Sequence, residues 1–245
     1  ALGYHDEAET VIFEARAADV SSQQLELVQA QIHLQEDEPA KALAVAVPLC
    51  NGAEPEANAR AALICADAYA ALGDWPRRLD ALQAAHSANP SPQTLRRLAD
   101  AWLEQAALVA SASEKASFYA KACEYLKPLC EQPYPGVLDR LNYSTALRAS
   151  GELAASERLL LQLASEVAGD YRVPMQLAFL YEQKDELGKA RSYCNQALAQ
   201  IDSAPAAGAG SAGTGAGGAA SGRGAAASDA TNRELLLALQ RRLSQ

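Results

Sequence analysis

The side chains best equipped for chemistry in this chain are suited to recognition. Arg96, Arg97, Arg148 and Arg172 offer forked guanidinium donors that pair bidentately with carboxylates. Asn142 and Gln176 carry amides, and asparagine can hold a peptide backbone. Catalytic groups are sparse. His5, His33 and His86 are far apart in sequence, and none pairs with a cysteine or carboxylate at metal-ligand spacing. Cys123 and Cys130 stand seven apart on one predicted helix face, but two thiols do not make a zinc site. The carboxylates Glu36, Asp37 and Glu38 fall at a turn and read as helix-end, solvated residues. No glycine-rich phosphate loop follows a strand, because no strand is predicted. The expectation is therefore no catalytic residue, no metal, no cofactor and no enzyme activity.

The elements that must position these side chains follow from periodicity. The stretch from Ala59 to Pro90 reads as two helices and a tight turn. Ala66, Tyr69 and Gly73 put a small residue, an aromatic and a helix-stopping glycine on the first helix. Trp75 opens the second helix, Ala85 sits where only a small side chain allows close crossing, and Pro90 ends the unit. Copies recur along the chain. Ala8 and Ala42 are 34 residues apart, and Asp37 stands in the turn-glycine place of the second unit. The fifth unit has Ser144, Leu147 and Gly151; the sixth has Ala178, Tyr181, Asp185, Ala190 and Ala197. In the fourth, ALVASASEKASFY delays the second helix, and Ala120-Lys121-Ala122 with Pro128-Leu129-Cys130 repeats the phrase Ala40-Lys41-Ala42 with Pro48-Leu49-Cys50. That unit is expected to have extended helices. Arg78 stands where Ala8, Ala42, Ala122 and Ala190 stand, so it must snorkel or displace the neighbouring helix.

Composition agrees. Alanine and leucine dominate and β-favouring runs are nearly absent, which predicts an all-α fold. Thirty acidic against twenty-one basic residues give a net charge of −9, which opposes nucleic-acid binding. Five cysteines at apolar helix positions read as reduced core thiols and point to a reducing, cytoplasmic compartment. No apolar run approaches the ~20 residues of a membrane span, so no membrane contact is expected. Residue 1 falls inside a repeat, so the chain reads as a piece of a longer protein.

Three segments result. Residues 1–202 form the repeat domain of five to six units. Residues 203–230, which hold eight of the fifteen glycines, read as a Gly/Ala/Ser-rich flexible linker. Residues 231–245 read as a capping helix that starts at the box Thr231-Asn232-Arg233-Glu234 and presents Leu236, Leu239 and Leu243 on one face.

The spacing of small residue, aromatic, turn glycine, two alanines and closing proline resembles the tetratricopeptide repeat, whose units are 34-residue helical hairpins. That resemblance implies a right-handed superhelical solenoid with the first helices lining a concave groove, and a function in holding protein partners. Projected with the family's inward-facing spacing, the groove carries Leu27, Gln31 and Gln35; Arg60, Ile64 and Asp67; Arg96, Arg97, Asp100 and Glu104; Asn142, Thr145 and Arg148; and Arg172, Gln176 and Phe179. Arginines gather in the later repeats, which suits an extended acidic or carboxylate-ended peptide. Arg96, Asn142 and Arg172 fit the family's carboxylate clamp, while Asp100 and Gln176 depart from it. The eleven residues Asp170 to Leu180 also resemble a phrase in tetratricopeptide regions that follow the catalytic domain of some bacterial serine/threonine kinases. The leading expectation is a partner-binding module, a regulatory part of a larger bacterial signalling protein. The alternatives are a self-association scaffold, through the capping helix or the exposed face of the truncated first repeat (Val11, Ile12, Ala15), and a small-molecule sensor with its pocket in the irregular fourth unit, with Arg78 nearby.

Overall fold

The structure is a computed structural model; it describes residues 23–203 and 219–244, together with Thr10. The first repeat, with Val11, Ile12 and Ala15, and much of the Gly/Ala/Ser-rich segment lie outside the described residues. Among the described residues eleven helices follow in order: α1 Gln23–Gln35, α2 Pro39–Ala46 continued by a 3-10 segment Val47–Asn51, α3 Pro55–Ala71, α4 Trp75–Ala88, α5 Pro92–Leu108, α6 Ala112–Cys130, α7 Val137–Ser150, α8 Leu153–Glu166, α9 Arg172–Gln183, α10 Leu187–Ser203 and α11 Ala219–Leu243. Among the described residues there is no strand. The chain divides into two compact units, Ala1–Gln105 and Ala106–Gln245.

One turn recurs in four repeats. Gly73 and Gly151 adopt φ 70° and 98°, and Asp37 and Asp185 adopt φ 61° and 60°, all in the left-handed region. In each case the next residue's N–H closes the helix end. Glu38 donates to the His33 carbonyl, Asp74 to Tyr69, Glu152 to Leu147 and Glu186 to Tyr181, at 2.8–2.9 Å. These are the long bonds of a Schellman-type stop, and in three of the four the acceptor is the large residue predicted in the first helix, Tyr69, Leu147 or Tyr181. Aspartate serves where glycine is missing because its short polar side chain tolerates this conformation better than most residues do.

The small-residue places are where the helices meet. Ala30, Ala66, Ala99 and Ala178 are fully buried, and Ser144 is nearly so; on the second helices Ala42, Ala122, Ala190 and Ser156 are fully buried. Ser156 donates to the Ser144 carbonyl at 2.8 Å, so the fifth repeat joins its two helices by a hydrogen bond where the second, fourth and sixth repeats carry buried alanines. Arg78 takes the same register place in the third repeat. It runs its stem along the interior and pairs its guanidinium with Glu104, leaving the side chain only 14% exposed. It snorkels, as its length requires. The predicted insertion is absorbed as helix length, giving 17 residues in α5 and 19 in α6.

In the first unit the core gathers Leu27, Ala30, Ala46, Ala61, Ile64 and Cys65. In the second unit a larger core runs from Leu141 through Leu160, Leu177 and Leu180 to Leu236, Leu239 and Leu243. The last three belong to α11, which packs on α10; Arg242 forks onto Glu182 at 2.9 and 3.1 Å, and Tyr171 Oη donates to Asp229 at 2.5 Å. The helix begins at Ala219, so Thr231 lies inside it and does not open it.

Candidate functional site

In the first unit, α1, α3 and α5 together line a cleft of about 430 Å³. Gln31, Arg60, Ile64, Asp67, Thr94 and Arg97 face it, five of them among the inward positions expected from the repeat spacing. Local chemistry holds its rim. Ser91 and Thr94 cap α5 reciprocally: the Thr94 N–H donates to Ser91 Oγ at 3.2 Å and the Ser91 N–H donates to Thr94 Oγ1 at 3.1 Å. The same Thr94 hydroxyl lies 2.8 Å from His86 Nδ1 on α4. Arg97 pairs with Asp67, and Arg60 donates to Gln24 at 2.6 Å. Two acidic groups, Glu56 and Asp67, balance Arg60 and Arg97, so the cleft is polar without a dominant charge. Arg96 is exposed on α5.

In the second unit, α7 and α9 carry the remaining expected residues. Asn142, Thr145, Arg148, Arg172, Gln176 and Phe179 are all half-buried. Arg148 lies over the Phe179 ring, 5.8 Å from its centre, and donates to Gln183 Oε1 at 3.4 Å. Gln183 is not among the residues expected from the spacing, although it continues the same face one turn after Phe179. Burial pushes the Arg148 guanidinium below its ordinary range. Its Nε is buried with no hydrogen-bond partner, and so is Gln176 Oε1. Arg148 has no ion-pair partner among the described residues. Arg172 differs: its Nε and Nη2 fork onto Asp170 at 2.8 and 2.6 Å. That hydrogen-bonded pairing holds Asp170 below the usual carboxylate range and raises Arg172. The structure thus leaves Arg148 open, ties Arg172 to Asp170, and ties Arg97 to Asp67.

One grouping is not legible in the sequence. The turn after α1 folds Glu36 and Glu38 back toward His33, and Nδ1 lies 3.5 and 3.4 Å from the two carboxylates. The three ligand atoms fall within 4.8 Å of one another. Lys41 already bonds Glu38 at 2.7 Å, and this bond is the main cause of the lowered Glu38 pKa.

The sequence matches no protein-family model and no curated protein. Solved structures do match. A tetratricopeptide repeat protein from Parabacteroides merdae superposes with a TM-score of 0.58, at 16% identity, over 98% of this chain and 91% of that one. The fold is that of the tetratricopeptide-repeat proteins. The nearly identical TPR-like repeats of a putative kinesin light chain from Podosopora anserina match 72% of this chain and 93% of their own, at 15% identity and a TM-score of 0.52. The assembly chaperone of RpL4 (Acl4) covers 91% and 89%, at 15% identity and a TM-score of 0.50. At such identities the likeness speaks for the fold alone. The tetratricopeptide-repeat assignment agrees with the spacing and turns, and α1, α3 and α5 show the polar face of the first helices as a cleft.

Proposed function

We propose that the chain is a protein-interaction module that holds an extended partner segment against its first helices. The observation that carries this reading is that two of the orphaned polar atoms belong to expected groove residues, one on α7 and one on α9. Arg148 Nε lacks an acceptor and Gln176 Oε1 lacks a donor, both buried. Leaving such groups unsatisfied costs about 1–3 kcal/mol each, so native proteins rarely do so without a reason. A peptide main chain supplies one carbonyl and one N–H per residue and answers both. The polar cleft on α1, α3 and α5 supports the same use in the first unit.

Because Arg97 and Arg172 are held by Asp67 and Asp170, main-chain contacts contribute more than a carboxylate clamp. In the second unit, Asn142 and Arg148 are the residues through which an acidic segment gains affinity. The phrase from Asp170 to Leu180, which resembles one in tetratricopeptide regions that follow the catalytic domain of some bacterial serine/threonine kinases, supports a place as the cytoplasmic regulatory part of a larger bacterial signalling protein. Neither nucleic acid nor membrane is proposed as a partner.

Extended peptides selected from a displayed random library test this. Binding should weaken at least about tenfold in R148A/Q176A, equal to about 1.4 kcal/mol, while circular dichroism shows the variant still folded at the binding temperature. Selected peptides that bind the double variant as tightly as the original chain contradict the reading.

A further inference from the structure

Cys50 stands near the end of the 3-10 segment Val47–Asn51, and Cys65 stands in the middle of α3. Their sulfurs lie 3.8 Å apart, in van der Waals contact, although fifteen residues separate them in sequence. Neither is bonded to another sulfur. Cys65 is buried, 3% exposed, among Ala46, Ala57 and Ala61, whereas Cys50 is half-buried and reachable from solvent. A disulfide needs the sulfurs to approach to about 2.05 Å, a shift of roughly 1.8 Å. Asn51 to Glu54, which connect the two elements, are all exposed, so this shift can fall on residues outside the packed core.

The other three thiols are placed differently. Cys123 and Cys130 lie on α6, where burial pushes them up to about 11 and about 12. Cys194 donates to the Leu236 carbonyl at 3.3 Å in the core of the second unit. Cys50 is the exception. The Cys65 thiol beside it favours its thiolate and lowers it, while the same pairing raises Cys65. The more accessible sulfur is therefore also the more nucleophilic one.

We propose that Cys50 and Cys65 are a redox-sensitive dithiol that closes to an intramolecular disulfide on reaction with a low-molecular-weight disulfide. The Cys50 thiolate attacks one sulfur of the reagent, forming a mixed disulfide as the reagent's S–S bond breaks and its other half leaves as a thiolate, which takes up the proton. Cys65 then loses its proton and attacks Cys50 Sγ. The Cys50–Cys65 bond forms, and the second half of the reagent leaves as a thiol. Two protein thiols are oxidised by two electrons, and one small disulfide is reduced to two thiols. The bond ties the 3-10 segment to α3, the helix that contributes Arg60, Ile64 and Asp67 to the first-unit cleft.

The test is incubation of the whole chain with oxidised glutathione, followed by intact mass, thiol titration and peptide mapping. The expected product is lighter than the reduced chain by two hydrogen atoms, has lost two of its five free thiols, and yields a peptide linking Cys50 to Cys65. It should melt higher by roughly 5–10 °C. C65A should stop at one bound glutathione on Cys50, and C50S should retain all of its thiols. Five surviving thiols in the original chain, a persistent glutathione adduct on its Cys50, linked dimers, or a bond involving Cys123, Cys130 or Cys194 would each overturn the proposal.

Discussion

Glu157 accepts two hydrogen bonds from the turn of the sixth repeat, one from Tyr181 Oη and one from Lys184 Nζ, both at 2.7 Å. Lys184 first and Tyr181 second hold Glu157 below its ordinary value of 4.5. A carboxylate whose pKa is lowered by folding stabilises the fold above its unfolded value, and the stabilisation is withdrawn as pH falls through the folded one. The melting temperature should therefore fall below pH 4.5, and Glu157→Gln should flatten that acid limb while costing on the order of a few degrees at pH 7. A melting curve series from pH 7 downward that is identical for the two proteins contradicts this account. The same residue-scale logic separates the arginines. Arg97 and Arg172 have carboxylate neighbours within the fold, whereas Arg148 has an aromatic face, a neutral amide and an unanswered N–H.

At the scale of elements, α11 is an extra helix that covers the open side of the last hairpin. Its own Leu236, Leu239 and Leu243 are buried in the core of the second unit, and Arg191 reaches across to the Leu243 carbonyl. Burying a leucine contributes about 1.5–3 kcal/mol. Removing Asp229 to Gln245 should therefore cost on the order of 5 kcal/mol, lower the melting temperature and expose Leu177, Leu180 and Leu198 to self-association. Thermal melting with light scattering reads both effects, and a truncated chain that melts unchanged as a monomer would contradict the covering role. The element's start shows how local signals mislead. Thr231-Asn232-Arg233-Glu234 has the residue order of a capping box, yet the alanine-rich residues before it propagate the helix back to Ala219.

Across the whole molecule, what can be read from sequence is what depends on local spacing. Asp37 and Asp185 stand in the turn-glycine place of the repeat, and both adopt the left-handed backbone conformation. The alanine places follow from the same spacing, and they are buried at helix crossings. What cannot be read depends on how one helix lies on the next. Arg97 meets Asp67 thirty residues away, Arg140 meets Glu166 twenty-six away, and Ser156 reaches the Ser144 carbonyl across the hairpin. Such pairs are set by side-chain reach between helices, which a periodic pattern does not encode. His33 with Glu36 and Glu38 is hidden for a related reason, because the left-handed Asp37 folds the turn back on its own helix. The candidate groove is therefore legible as a set of positions, and its charge state is not. The central claim is that this groove holds a partner segment, and amide hydrogen exchange with a selected peptide bound tests it most directly. The account predicts added protection on α7 and α9, centred on Arg148 and Gln176. Protection confined to α8 and α10, or none at a saturating peptide concentration, would contradict it.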